Sequence, residues 1–409
     1  MAEGLRRHHR QEGQVNGPSG AAGNARLRVG VAGLGAAGRA FAQPLLAHPA
    51  FDWVAAADPD PAQQLPGVVV HESFDKLLRH PGLDAVIVAT PTPLHAAQVL
   101  QALAAGLHVL VEKPMATSLA VARAMAEAAE RADSVLLVGH SHSFDAPIQR
   151  MHQLIRQGLL GRVGMVHHWC YTDWVLRPRR PDELREDAGG GVTFRQGAHQ
   201  FDVLRLLCGG RARSVRAKTF NWNAQRSTTG AHTVFIDFDD GPAATAVYNG
   251  YGGFSSMDLC FDISEWGLHQ PPALRPRAQP PGADELLAKR QRAATSIAAA
   301  APHPPMFGLC LVSCEGGDIR QSATGLQLHR PDGMTDLPVS AARSPRDLVL
   351  DEWHAAISGT EPALHSGRWG LANLEVCIAA IESSQSGREV TLHEQVPVPG
   401  LTPAGCSAA

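Results

Sequence analysis

The chain lacks the features that would tie it to a membrane, to nucleic acid or to an oxidising compartment. Its seven cysteines in 409 residues form no C-x-x-C pair. An odd, scattered set reads as reduced thiols, and the nearest two, Cys310 and Cys314, stand four apart where a strand is expected. No charge of one sign dominates. Lys and Arg number 36 against 39 Asp and Glu, a formal net charge of -3, which argues against nucleic acid as a partner. No apolar run is long enough to span a bilayer, and the N-terminal residues have no apolar core of the signal-peptide kind. A cytoplasmic protein with no membrane partner is therefore expected. No internal repeat is visible. Histidines are many, at 20, but most fall singly. His140 and His142 are two apart without a clear third ligand, so no metal is expected.

What is present begins at Gly33-Leu34-Gly35-Ala36-Ala37-Gly38, directly behind the apolar run Leu27–Ala32. A strand running into G-x-G-x-x-G and then a helix is the dinucleotide fingerprint. The first glycine makes the turn, the second admits the pyrophosphate to the backbone, and the third lets helix and strand pack closely. The helix start offers N–H groups and a positive dipole end to phosphates. A second apolar run, Trp53–Ala57, ends in Asp58, twenty residues after Gly38, where an acid accepts from the adenosine ribose. Its charge repels a 2′-phosphate and Pro59-Asp60 add no cation, so NAD is expected over NADP.

From Leu27 the pattern alternates. Strands are expected at Val29–Ala32, Trp53–Ala57, Ala85–Ala89, His108–Val111 and Val135–Val138. Helices are expected at Ala37–Ala47, Phe74–Arg79, Pro93–Ala105 and Thr117–Arg131. Continuous apolar strands between helices mean a parallel sheet buried on both faces. Residues 27–145 thus read as a doubly wound Rossmann domain of the α/β class. Residues 146–393 read as an α+β domain for substrate and oligomerisation, with a largely antiparallel open sheet. Its expected helices are Pro147–Gln157, Gln196–Cys208, Pro345–Ile357 and Gly370–Ser386. Its expected strands are Val163–Tyr171, Ser214–Phe220, Thr233–Asp239, Ala243–Tyr248, Met257–Ile263 and Phe307–Ser313, with the turn Asp239-Asp240-Gly241-Pro242. Residues 270–305 read as an insertion, either a surface loop or an interface arm, with a helical piece at Ala283–Ala300. Residues 1–26 and 394–409 read as tails.

Three more motifs join the fingerprint. Ala89-Thr90-Pro91-Thr92-Pro93-Leu94-His95 and Val111-Glu112-Lys113-Pro114 follow successive strands, and Gly189-Gly190-Gly191 precedes Gly197-Ala198-His199-Gln200-Phe201-Asp202. Together they resemble the glucose–fructose oxidoreductase/inositol dehydrogenase (Gfo/Idh/MocA) family, from Leu27 to about Leu392. A narrower resemblance lies in Gly139–Pro147, Tyr171–Trp174, Arg177–Pro181 and Gly191–Gln196. These are similar to the phthalate 4,5-cis-dihydrodiol dehydrogenase branch. The resemblance implies an NAD-dependent oxidoreductase that takes a carboxylated cyclic diol, such as the phthalate dihydrodiol, to a catechol. It also implies a homo-oligomer.

The residues carry the chemistry as follows. Lys113, at the sheet edge where open α/β sheets bind ligands, reads as a proton acceptor once desolvated. His199 and Asp202 share a helix face. His199 is either a packed core residue or, as the resemblance implies, an acid–base or hydroxyl-binding group. Asp202 either orients that imidazole or caps a turn. The resemblance places Thr90, Pro91, His95, Glu112 and Lys113 beside the cofactor. Arg195 stands where most of the family has aspartate. An arginine cannot be a base at neutral pH, but it pairs with carboxylates, which suits an anionic substrate. Arg177, Arg179 and Arg180 lie in a proline-punctuated loop, either solvated or part of the same anion clamp. His140, His142 and Tyr171 are candidate contacts for the diol hydroxyls. A sugar, sugar acid or inositol is the alternative substrate, and a non-catalytic NAD-sensing protein is the alternative role.

Overall fold

The computed structural model describes residues 26–239, 241–272, 284–289 and 301–399. Its first sheet has six parallel strands: β1 Leu27–Ala32, β2 Phe51–Ala57, β3 Val69–His71, β4 Ala85–Val88, β5 His108–Glu112 and β6 Leu136–Gly139. They lie in the order β3-β2-β1-β4-β5-β6. The order reverses between β1 and β4, which opens a crevice at their C-terminal ends. Gly33 leaves β1 there, and Ala89 and Thr90 leave β4.

The second sheet has nine strands: β7 Val163–Tyr171, β8 Ala212–Phe220, β9 Ala231–Phe238, β10 Ala243–Asn249, β11 Leu309–Cys314, β12 Gly317–Ser322, β13 Gly325–Arg330, β14 Gly333–Pro338 and β15 Val390–Thr391. Their order is β14-β13-β12-β11-β7-β10-β9-β8-β15. All pairs are antiparallel except β7 with β10. Helix Ala198–Leu207 is buried on every side and packs under β7 and β10. Helix Gly367–Ser386 packs on β8, on β6 and on helix Leu119–Arg131, and so ties the two sheets together. Asn373 Nδ2 on it donates to the Ala198 carbonyl at 2.8 Å, which fixes the start of the buried helix.

Several expectations change. The helix expected over Ala37–Ala47 is two pieces, Ala36–Arg39 and Ala42–Ala47. Pro44 explains the break, because its ring clashes with the carbonyl four residues earlier and it has no N–H to donate. Met257–Ile263 is not a strand. Ser255 Oγ accepts from Met257 N and starts a short 3₁₀ turn, Ser256–Leu259. Phe261 and Asp262 then take φ of 59° and 58°, which no strand accommodates. The expected helix Gln196–Cys208 begins earlier, with a π turn at Thr193–Gly197. Strands β3, β12, β13, β14 and β15 had no counterpart in the sequence reading.

Of the expected C-terminal tail, residues 394–399 are packed. Val398 is buried and donates to the Gly209 carbonyl, and Gln395 Nε2 bonds the Ala372 carbonyl. Residues 400–409, 1–25, Asp240 of the expected turn and most of the expected helix 283–300 lie outside the described residues; 285–289 is helical. No helix among the described residues is long and apolar enough to cross a membrane.

Candidate functional site

The fingerprint glycines have three different local reasons. Gly33 has φ +89°, and a Cβ there would lie 2.7 Å from the Ala89 carbonyl. A Cβ on Gly38 would lie 1.9 Å from the Gly33 carbonyl, so helix and strand meet only without one. A Cβ on Gly35 would meet nothing within 4 Å. Nothing in the chain requires glycine at 35, whereas a pyrophosphate passing over the turn does. Asp58 stands at the end of β2. Its Oδ2 accepts from Leu34 N at 2.8 Å and its Oδ1 from Asp60 N at 2.9 Å. This ties the acid to the turn and sets it beside the expected ribose position. Leu34, Ala36 and Ala37 complete the turn and first helical residues. These residues fit a dinucleotide.

On the β4 side, Thr90 Oγ1 donates to Gln98 Oε1 at 2.5 Å and Pro91 starts helix Thr92–Ala104. His95 is buried, with its ring nitrogens 2.9 Å from the Thr90 carbonyl and 3.0 Å from that of Pro114. Burial lowers its pKa, against the two carbonyls, and the ring braces the two ligand-bearing loops. Glu112 is held by Arg346 at 2.6 Å. Burial opposes its charge, but Arg346 and Lys113 outweigh that and lower its pKa.

Lys113 follows Glu112 at the end of β5. Its Nζ donates to the Arg195 carbonyl at 2.8 Å, across to the π turn. Burial, then the Arg195 charge, lowers its pKa to about 7, against the pull of Glu112. A lysine so placed exchanges a proton near neutral pH.

Beyond Lys113 lies a ring cluster. His142 stacks on Phe307 with centroids 4.1 Å apart and meets His199 edge-on at 4.5 Å. His142 Nδ1 is 3.1 Å from Asp145 Oδ2. Burial raises the Asp145 pKa. Burial and then Lys113 push the His199 pKa well below its usual value, and its Nδ1 has no partner among the described residues. Among the described residues both ring nitrogens of His140 are also without partners, and burial holds it at about 4. These nitrogens are enclosed by the cluster, and a neutral imidazole can donate from one ring nitrogen and accept at the other.

Asp202 neither orients His199 nor caps a turn. It accepts from Trp369 Nε1 at 2.7 Å and lies 3.5 Å from His365 Nε2. His365 Nδ1 is 2.9 Å from Glu352. Burial opposes the charge on His365, but Glu352 and Asp202 raise its pKa to about 10.

The four arginines are partly buried and mostly engaged. Arg195 Nη1 donates to Thr92 Oγ1 at 3.0 Å, and its Nη2 lies 3.5 Å from Glu183. Arg177 pairs with Asp173 at 2.5 Å and Arg180 with Asp182 at 2.9 Å. Arg179 lies 4.0 Å over the Trp174 ring. Tyr171 departs from expectation. Strand alternation puts it on the outward side of β7, with Trp169, and its ring packs on Phe254. The buried phenol near the arginines is Tyr248, bonded to Thr172 Oγ1 at 2.8 Å.

Sequence reasoning missed Phe307, Glu183, Asp145, Tyr248 and Glu265, which lies 3.9 Å from Arg177 Nη1. Only Asp145 carried a signal, as the acid before a proline-started helix. Among the described residues no group of three His, Cys, Asp or Glu is placed to hold a metal.

Comparison with known proteins gives the family and the fold. Residues 27–140 match the family model described as an oxidoreductase family with an NAD-binding Rossmann fold. Residues 148–258 match that of the GFO/IDH/MocA C-terminal domain. A 1-carboxy-3-chloro-3,4-dihydroxycyclohexa-1,5-diene dehydrogenase of Comamonas testosteroni is 37% identical over 377 residues, 88% of this chain and 95% of that protein. The crystal structure of a candidate dehydrogenase from Bordetella bronchiseptica RB50 superposes with a TM-score of 0.83 at 35% identity, covering 90% of this chain and all of the other. An oxidoreductase from Agrobacterium radiobacter, crystallised with NAD+, L-tartaric acid and magnesium, shares the fold at 20% identity, with a TM-score of 0.67 over 90% of this chain and 98% of its own.

Proposed function

Because the chain belongs to the Gfo/Idh/MocA family of NAD-binding oxidoreductases, we propose that it oxidises a carboxylated cyclic cis-dihydrodiol to the corresponding catechol. The observation that carries this reading is Lys113, with its pKa near 7, set between neutral imidazoles and a loop of arginines. Bound NAD supplies the hydride acceptor. Lys113 Nζ, in its neutral form, takes the proton of one ring hydroxyl. His199 borders Lys113 on the hydroxyl side, and His142 with Phe307 walls the ring. The arginine loop recognises the carboxylate, and burial of the cluster excludes water. Loss of hydride and proton leaves a cyclic enone that tautomerises to the aromatic catechol, and aromatisation draws the reaction forward. The C. testosteroni relative, whose name specifies a ring carboxylate and two hydroxyls, supports this substrate class.

The chain divides at 145/146 into a cofactor domain, whose strand ends also bring Lys113, His140 and His142 to the substrate, and a substrate domain. A second copy of the chain covers the outward face of the nine-stranded sheet, where Met165, Trp169 and Phe235 are exposed. The cytoplasm suits its six described cysteines, all free thiols.

A spectrophotometric screen of NAD and NADP against aromatic dihydrodiols with and without carboxylates, sugars, sugar acids and inositol tests the reading. NAD reduction is expected with carboxylated diols first. Turnover confined to sugars or inositol overturns it.

A further inference from the structure

The cations around the substrate side of Lys113 are unevenly matched with acids. Arg177 Nε donates to Asp173 at 2.5 Å and its Nη1 lies 3.9 Å from Glu265. Arg180 closes on both oxygens of Asp182, at 2.9 Å each. Arg195 and Lys289 share Glu183, and Arg226 pairs with Glu285 at 2.7 Å. Arg179 has no carboxylate within 4.0 Å of its guanidinium among the described residues. Its Nε and Nη2 both donate to one carbonyl, that of Trp174, at 3.1 and 3.0 Å. Its plane lies 4.0 Å over the Trp174 ring. Glu285 takes the backbone N–H of Arg179 at 2.7 Å and leaves the side chain aside. Nη1 and the second hydrogen of Nη2 therefore form a free, rigidly held edge, the shape that receives a carboxylate on two parallel bonds. Burial lowers the Arg179 pKa to about 9 against the pull of the Glu183 charge, which it shares with Arg195 and Lys289.

We propose that Arg179 receives the substrate carboxylate, and that the site is built for one such group, so that the ligand is a monocarboxylated ring diol and not a vicinal dicarboxylate. This rests on the diol reading above. A second carboxylate has no unmatched cation in the loop. It would have to take Arg195 from Glu183 or Arg180 from Asp182, and Glu183 is itself buried, so its charge would be left with less compensation.

The test uses the full chain with NADH bound and three product-like probes: catechol, 3,4-dihydroxybenzoate and 4,5-dihydroxyphthalate. Binding is read by the change in NADH fluorescence. The wild type should bind 3,4-dihydroxybenzoate at least about tenfold more tightly than catechol. The second carboxylate of 4,5-dihydroxyphthalate should add nothing. Arg179→Gln should lose the tenfold preference while still binding catechol and NADH as the wild type does, which also shows that it folds. Arg179→Lys should recover part of the preference. A dicarboxylate bound about tenfold more tightly than the monocarboxylate overturns the proposal, as does an Arg179→Gln variant that keeps the preference. Equal binding of catechol and 3,4-dihydroxybenzoate by the wild type removes Arg179 from recognition and leaves the diol reading standing. If no ring compound binds but glycerate, a monocarboxylate with two hydroxyls, does, and Arg179→Gln loses it, the aromatic reading fails and the role of Arg179 stands.

Discussion

Lys113 Nζ lies 2.8 Å from the main-chain carbonyl oxygen of Arg195. One residue thus acts on the lysine in two opposed ways. Its carbonyl accepts a hydrogen bond from the amine, while its guanidinium charge, added to burial, disfavours the ammonium form. The carbonyl belongs to the π turn that leads into the helix of His199, so the lysine is braced against the element that carries the imidazole. Wide π turns of this kind recur at functional sites.

The first prediction concerns proton acceptance. Only the neutral amine can take a hydroxyl proton, so kcat/KM should rise with pH below about 7 and level off above it. Lys113→Met should lower turnover by about 10²–10⁴-fold and leave NAD affinity unchanged. A pH–rate profile and NAD titration of the variant check both. A flat profile between pH 5 and about 8 would remove Lys113 as the base.

Arg195→Ala should move the acidic limb of that profile upward. Removing the positive neighbour favours protonated Lys113, whereas the main-chain carbonyl remains in place. Activity near neutral pH should fall and recover in alkali. An unshifted limb, with only KM changed, would confine Arg195 to substrate contact.

Two glycine substitutions separate cofactor binding from folding. Gly35→Ala adds a methyl to open space, so stability should change by less than about 0.5 kcal/mol. NAD affinity should still fall at least about tenfold, since the methyl meets the pyrophosphate. Gly38→Ala places a methyl 1.9 Å from the Gly33 carbonyl and should destabilise the fold as well. Thermal melts paired with NAD titrations tell the two apart. Undiminished NAD affinity in Gly35→Ala would place the pyrophosphate elsewhere.

The triad of half-buried Glu352 with buried His365 and Asp202 should govern alkaline stability. The folded pKa of His365, about 10, lies above its ordinary 6.5. Its contribution is therefore complete below pH 6.5 and lost as pH rises through about 10. Replacing it with leucine strands Asp202, which is fully buried, at a cost of about 3–5 kcal/mol. Denaturant melts across this pH range should show the wild type losing stability and His365→Leu changing little. Parallel curves for both proteins would contradict the linkage.

The two closing helices and the parallel sheet were legible because their signals are local. Ser344 accepts from Asp347 N at the start of helix Pro345–Ile357, the boundary that the sequence indicates. Ser366 starts the last helix three residues before the expected Gly370, because its side chain accepts from Trp369 N. Strands β12 to β14 were overlooked. Their mixed apolar and polar residues, with β14 exposed almost throughout, give no continuous apolar run, although Gly317, Gly325 and Gly333 begin them.

The candidate site divides along the same line. Asp58, Lys113 and His199 could be picked out from spacing and motif. Tyr171 and Tyr248 could not be told apart by function. The face a strand residue presents depends on which side of the sheet the helix Ala198–Leu207 covers.

By itself the amino-acid order decided the dinucleotide turn, the strand-end lysine and the supply of arginines, since each is a matter of neighbours within a few residues. Tertiary structure decided what those charges meet. It brought Glu183, Glu265 and Glu285 from separate segments to Arg195, Arg177 and Arg226, and among the described residues it set no carboxylate within 4.0 Å of the Arg179 guanidinium. The physical reason is range: a turn is set by backbone sterics over a few residues, whereas charge matching is set by which distant segments share a buried volume.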